Sequence, residues 1–393
     1  MAEIVAQAQT TVVTLPKIIH GIENKGVYSF TLENANVSIA NALRRIILSE
    51  IPTVVFRTSP HESNLVDFVI NTSRMNNELI KQRISCIPIH ITDIDFPIKD
   101  YIVELDVLNE TDSIIYATTN DFTITNINNN KSLTKSDVNK IFPPDPITND
   151  YIEIVRLRPK ISDVVNGEHI KLSAELDIGI AKEDSAFNVV STCSYGASPD
   201  SLKINQVWSN IMKELKATGK SKDDIESYKK DWLLLDAKRL IEKDSFNFKI
   251  ESVGPFSEMS IVYKGAYVMI NKLKKFSDNL QTDENMITES NSTIQHCFDI
   301  ILIDEDYTLG KVLEYILYEN YYISDKSQIN EDENSNVLTY CGFTKPHPHI
   351  NKSLLRIAFV SNKEKQDIIT LLVNVSNTAT TIFNKIANEF KTD

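Results

Sequence analysis

Three short stretches carry side chains able to do chemistry. Asp304, Glu305 and Asp306 stand together in LIDEDYT (302–308), a carboxylate run that could hold a divalent cation. His347 and His349 stand two apart in KPHPH (345–349), a spacing found in some metal sites. Arg44 and Arg45 are adjacent in NVSIANALRRIILSE (36–50), two planar guanidinium forks that suit carboxylates. Each has a plainer alternative. Acidic residues just ahead of a helix are favoured by its dipole. No third ligand accompanies the two histidines, and Pro346 and Pro348 hold that segment extended. The arginines could belong to a solvated helix face with local ion pairs, Arg45 to Glu50 or Glu33, of the kind that contributes little. Cys86, Cys193, Cys297 and Cys341 form no C-x-x-C pair, so neither a disulfide framework nor a zinc knuckle is signalled, and Cys86 is expected to be a small buried hydrophobe. No G-x-S-x-G elbow, P-loop or H-E-x-x-H motif occurs. The expectation is a chain with no catalytic residue, no metal and no cofactor.

The totals agree with a folded chain. A length of 393 residues predicts two or three domains, and 42% hydrophobic with 24% charged residues confines disorder to local segments. A formal charge of −13 sets a repulsive field against phosphates, which argues against direct sequence-specific nucleic-acid binding. No run approaches about 18 apolar residues and the first residues lack a signal-peptide pattern, so a soluble intracellular protein with no membrane contact is expected.

The elements that must position these residues follow from periodicity. GVYSFTLE (26–33) alternates as a half-buried strand, and Asn34 or Asn36 can cap the helix that follows. From Val54 to Val107 short strand-like runs surround a helical piece at NNELIKQRI. Asn clusters and prolines make 126–150 a surface loop, strands resume at YIEIVRLRPKI and HIKLSAELDIGI, and 201–244 holds two helices. FNFKIESVG (246–254) returns to strand, followed by a long amphipathic helix over 258–276. The polar stretch 278–294 reads as a linker. Beyond it come strand CFDIILID, helix TLGKVLEYILYE, an acidic patch at 325–336, strand LLRIAFV and a helix over 363–390. The back of the chain echoes the front, strand then capping turn then helix ending in Glu, although identity is too low to name a repeat on that ground alone.

Helical spacing places Ile39, Ala40, Leu43, Ile46 and Ile47 on one arc of the 37–50 helix, with Asn41 and Arg45 opposite and Arg44 at the border. In TLGKVLEYILYE the stripe is Leu309, Val312, Leu313, Ile316 and Leu317. Burying about ten such side chains gives a gross gain on the order of 15 to 30 kcal/mol before ordering costs. The two stripes are therefore expected to form an internal dimer interface.

FTLENANVSIANALRRIILSEIPTVVF resembles the signature of the third-largest subunit of eukaryotic RNA polymerase II, its archaeal counterpart and the amino-terminal domain of the bacterial alpha chain. NNELIKQRISCIPI (76–89), the stretch 167–195 and FNFKIESVGPF are similar to further family segments in the same order. After the linker, DEDYTLGKVLEYILYE and YCGFTKPHPHINKSLLRI look like the eleventh subunit, or its archaeal counterpart, down to a loop with Gly342, Pro346, His347 and Pro348. Relatives often carry a cysteine cluster after the segment matching CIPIHI. TDIDFPIKDY has none, so the resemblance carries no metal over.

The resemblance implies an α+β fold in which an alpha-subunit-like dimerisation fold occurs twice, as a pseudo-dimer with a four-helix contact, plus an inserted mainly-β domain. Its expected boundaries are a tail at 1–13, a dimerisation half at 14–55 and 245–277, the insert at 56–244, the linker, and a second half at 295–393. The implied role is a non-catalytic platform of a DNA-directed RNA polymerase. Asn41, Arg44 and Arg45 would dock the second-largest subunit, and the largest and small subunits would be further partners. Such fusions resemble those of large cytoplasmic DNA viruses, which implies a cytoplasmic viral factory and virion, or else the nucleus or cytoplasm of a cellular host. A free-standing α+β adaptor unconnected to a polymerase is the alternative.

Overall fold

The computed structural model describes residues 14–24, 26–162, 166–283, 285–322 and 337–391; the expected tail at 1–13 and the acidic patch at 325–336 lie outside them. The front of the chain gives strands β1 (Lys17–His20) and β2 (Val27–Glu33), helix α1 (Val37–Ser49), strands β3 (Thr53–Phe56) and β4 (Val66–Asn71), and helix α2 (Asn77–Ser85). Strands β5 (Tyr101–Leu108), β6 (Ile115–Thr118), β7 (Phe122–Asn126) and β8 (Lys131–Ser132) precede helix α3 (Lys135–Ile141). Then follow β9 (Glu153–Leu157), β10 (His169–Gly179), β11 (Val190–Pro199), helices α4 (Ser201–Ala217) and α5 (Lys222–Leu234), and β12 (Ile241–Ser252). The remainder is α6 (Glu258–Thr282), β13 (Ile287–Glu289), β14 (Cys297–Ile303), α7 (Tyr307–Tyr321), β15 (Leu338–Thr344), β16 (Lys352–Phe359) and α8 (Lys365–Glu389).

These elements form two compact units. One contains the chain up to Ile46, Cys193–Ile250 and the residues from Val262 onward; the other contains Ile47–Thr192 and Glu251–Ile261. The first holds two four-stranded sheets, ordered β1-β2-β12-β11 and β13-β14-β16-β15. In β2 strict alternation buries Tyr28, Phe30 and Leu32 and leaves Ser29 and Thr31 on the outer face, as expected for a sheet covered on one side. In the second sheet the antiparallel register sets Asp299 opposite Arg356, and the two make a bidentate pair at 2.6 and 2.8 Å.

The second unit is built on β3-β10-β5-β7-β8, with β4 also on β10 and a separate β6-β9 pair. Its core joins Val54, Phe56, Ile80, Val103, Leu105 and Leu172 with residues of α3.

Several expectations need correction. Residues 126–150 are not a plain loop. Thr134 caps α3 by accepting from Asp137 N, and the helix drives Val138 and Phe142 into the core, where Phe142 stacks on Phe56 with centroids 6.0 Å apart. With half-buried Ile141 these make three apolar side chains among many polar ones, and they suffice because each packs on the core. The 278–294 stretch is only partly a connection, since α6 runs on to Thr282 and β13 pairs with β14, burying Leu280, Met286 and Ile287. The boundary of the insert also moves: β11 bonds to β12, and that pairing carries 193–250 into the first unit. Cys86 is exposed at the C-cap of α2 rather than buried.

Candidate assembly interface

Helix α1 starts at a cap that its own side chain makes. Asn36 Oδ1 accepts from Ser38 N at 2.9 Å, and Asn34, at φ +56°, turns the chain out of β2 into the helix. The apolar arc is buried as the spacing predicts, with Ile39, Leu43, Ile46 and Ile47 each at most 2% exposed. Ala42 is buried as well, and Asn41, Arg44 and Arg45 are all half-buried, so the polar side is not an open solvent face. Arg44 donates from Nε and Nη2 to Asn41 Oδ1 at 3.1 and 3.0 Å. Its charge also reaches the Cys193 thiol, which burial pushes up to about 12 while Arg44 pulls the other way.

Arg45 has a different role. Its Nε donates to Thr308 Oγ1 at 2.8 Å and its Nη2 to Asp306 Oδ2 at 2.6 Å. Asp306 is the N-cap of α7, its other oxygen accepting from Thr308 N at 2.8 Å. One carboxylate thus starts α7 and holds a cation of α1. Beside it Lys272 of α6 pairs with Glu305 at 3.0 Å, the side chains only 14% and 20% exposed. The acidic run that resembled a metal site is therefore a receptor for two cations from earlier helices. Among the described residues no group of three or more His, Cys, Asp or Glu is arranged to hold a metal. Glu33, considered above as a local partner of Arg45, instead accepts from Lys17 at 3.0 Å. Charge-assisted bonds in partly dry surroundings are the stronger class of hydrogen bond.

Buried apolar residues surround these ion pairs, and α7 packs on α8, β15 and β16. Leu309, Val312, Leu313, Ile316 and Leu317 of α7 are all buried. The Ser376 hydroxyl of α8 donates to the Leu273 carbonyl of α6 at 2.9 Å in a buried setting. At the C-cap of α8, fully buried Phe390 meets His20, Tyr28 and Phe30 with centroids at 5.1, 6.5 and 4.9 Å, and Phe30 stacks on Phe248 at 4.9 Å. His20 Nδ1 lies 2.7 Å from the Tyr28 hydroxyl, which burial holds above its ordinary value. The last helix is therefore fastened to the first sheet.

Gly342 lies in β15, and Pro346, His347 and Pro348 occupy the exposed turn that joins it to β16. His349 N donates to His347 Nδ1 at 3.2 Å and Ile350 N to the His347 carbonyl at 3.1 Å, so the turn is held by its own groups. Gly310 meets a tighter demand. A Cβ there would sit 2.1 Å from the Phe343 ring, so the ring can lie on α7 only if that position has no side chain.

In the second unit, the stretches at 59–63 and 182–187 come together. Ser59 and His61 from one, and Asp184 and Ser185 from the other, line a polar cleft of about 500 Å³ with Lys81 and Cys86. Beside that loop, Arg57 pairs with Asp177 at 2.6 Å and with Glu183 at 3.2 Å.

Sequence reasoning missed Asp306, Thr308, Lys272, Glu305, Ser376 and Phe390 as residues that make these long-range contacts. Asp306 is legible as a cap, but nothing local links it to an arginine 261 positions earlier.

Residues 29–273, well over half of the chain, match the RNA polymerase Rpb3/Rpb11 dimerisation domain. The chain belongs to that family. It is 24% identical over 302 residues to the DNA-directed RNA polymerases IV and V subunit 3B of Arabidopsis thaliana, covering 64% of this chain and 87% of that protein. It is 38% identical over 74 residues to the DNA-directed RNA polymerase II subunit RPB3 of Schizosaccharomyces pombe, 19% of this chain and 23% of the relative. To the Homo sapiens DNA-directed RNA polymerases I and III subunit RPAC1 it is 25% identical over 306 residues, 67% of this chain and 83% of that protein. The mixed α+β architecture is consistent with an alpha-subunit-like dimerisation domain.

Proposed function

We propose that this chain is a non-catalytic assembly platform of a DNA-directed RNA polymerase built from several chains, in which a third-subunit-like front half and an eleventh-subunit-like back half are joined in one polypeptide. The observation that carries this reading is the fastening of α7 and α8 onto α1, α6 and the first sheet, through Arg45 to Asp306, Ser376 to Leu273 and the Phe390 cluster. Membership of the polymerase dimerisation family gives that fastening its context. A tether makes such a pairing intramolecular, with an effective concentration on the order of mM, and fixes the ratio of the halves at one to one.

Asn41 and Arg44 form the docking point for the second-largest subunit. Arg44 is half-buried, is held in place by Asn41, and has no carboxylate partner among the described residues, which leaves a pre-oriented guanidinium for an acidic group on a larger neighbour. Arg45, proposed from sequence as a second docking group, supports the platform from within. The largest subunit and small subunits complete the assembly, and the polar cleft at Ser59, His61 and Asp184 is a second contact surface for them. The fused arrangement favours a cytoplasmic viral factory and virion as its location; a cellular host would place it in the nucleus or cytoplasm.

The test is co-expression of the tagged chain with the two largest subunits and quantitative mass spectrometry of the purified material. Recovery at one to one to one is expected. Recovery of the chain without either large subunit would favour a free-standing adaptor and overturn the platform reading.

A further inference from the structure

The starts of α1 and α7 are the same device. Asn34 and Asp304 have φ of +56° and +58°, and two residues later Asn36 and Asp306 accept from Ser38 N and Thr308 N at 2.9 and 2.8 Å. Superposing the caps matches the buried faces position by position: Ile39 with Leu309, Ala42 with Val312, Leu43 with Leu313, Ile46 with Ile316 and Ile47 with Leu317. Apolar packing of this kind cannot tell a front half from a back half. Two fronts, from two copies of the chain, could meet through the same aliphatic surface.

The charged positions differ. In the same superposition Glu305 and Asp306 correspond to Ala35 and Asn36, and Arg45 corresponds to Tyr315. The carboxylates belong to the back half alone, and the cations they hold, Arg45 and Lys272, come from the front half. Tyr315 is within electrostatic reach of Asp244, whose carbonyl accepts from Ala35 N at 3.2 Å beside the α1 cap. On that reciprocal side a neutral phenol stands where Arg45 stands on the other.

We infer that the Arg45–Asp306 and Lys272–Glu305 pairs are a pairing code that selects front-with-back over front-with-front association, so that the chain closes on itself instead of joining a second copy. In a front-with-front pair, each Arg45 would face the neutral Asn36 cap and each Lys272 the methyl group of Ala35, so each cation would lose the carboxylate it holds here. In a back-with-back pair the carboxylates would face Tyr315. Losing a charge-assisted pair at a partly buried contact is the penalty against the wrong partner that specificity requires. This inference rests on the proposed pairing of two halves.

The test uses the full chain with a protease site introduced between α6 and β13, folded intact and then cut. The cut wild-type chain should migrate as one species; immediate separation would refute the pairing of halves itself, independently of the code. Asp306→Asn keeps the cap acceptor for Thr308 N but removes the charge, and Glu305→Lys opposes Lys272. Each should speed dissociation of the cut complex by about 10- to 100-fold and release fronts that pair with one another. Lys272→Glu combined with Glu305→Lys should restore the wild-type rate and abolish front pairing. Dissociation of Asp306→Asn and Glu305→Lys at the wild-type rate, or a double variant no better than Glu305→Lys alone, would overturn the code.

Discussion

Adjacent arginines on one helix should fail in different ways when truncated. Arg45→Ala removes two charge-assisted bonds, to Thr308 Oγ1 at 2.8 Å and to Asp306 Oδ2 at 2.6 Å, while the bond from Thr308 N to Asp306 at the cap stays. Bonds to charged groups contribute about 1.5 to 3 kcal/mol when well shielded. The guanidinium is 35% exposed and Asp306 23% exposed, so solvent screening brings the expected loss to about 1 to 2 kcal/mol. For a chain of this size that corresponds to a fall in Tm of about 2 to 6 °C. Arg44→Ala removes only the bonds to Asn41 within its own helix and should cost at most about 0.5 to 1 kcal/mol. Recovery of the second-largest subunit should show the opposite order, with Arg44→Ala losing it from a normally stable chain and Arg45→Ala retaining it whenever the chain is folded. Thermal unfolding and co-purification, run on the same preparations, separate the two. Equal stability of both variants, or undiminished recovery with Arg44→Ala, would refute the division of labour.

Phe390→Ala should cost about 3 to 5 kcal/mol, because the ring is fully buried against Tyr28 and Phe30, and amide exchange in β1 and β2 should rise more than in the second unit. Gly310→Ala should destabilise by about 1 to 3 kcal/mol despite alanine's better helix propensity, and Phe343→Leu should recover part of the loss in urea unfolding. The hydrogen bonds from Arg356 hold the Asp299 carboxyl below its usual range. A depressed carboxylate contributes stability that is complete above about pH 4 and is lost as pH falls through the lower folded value, so Asp299→Asn should flatten the acid limb of the urea midpoint against pH. A thiol reagent should label exposed Cys86 quickly in the native chain, while Cys193 and Cys341, each pushed up to about 12 mainly by burial, stay unreactive.

How much of this is legible in the sequence depends on whether the signal is local. The faces of α1 and α7 follow from a 3.6-residue period strong enough to name Leu43, Ile46, Leu313 and Ile316 as buried in advance. Helix α3 is hidden because Val138, Ile141 and Phe142 are too few to dominate a window rich in Asn and Lys, although each points inward. Strand β15 reads in sequence only as part of a loop motif. Its Tyr340–Phe343 run has little alternation of its own and becomes a strand by pairing with β16. The candidate site divides in the same way. Asn41 and Arg44 lie three positions apart and bond within one turn, as helical spacing allows. Spacing alone aims Arg45 outward, because a helical wheel gives direction but not what stands in that direction, and here Asp306 does.

The most direct test is a cryo-electron-microscopy reconstruction of an assembled polymerase containing this chain. The account predicts a carboxylate of the second-largest subunit within ion-pair distance of Arg44, with Arg45 still on Asp306 and Phe390 still between His20 and Phe30. Arg44 facing only solvent in the intact enzyme, or Arg45 released from Asp306 to make the contact instead, would contradict it.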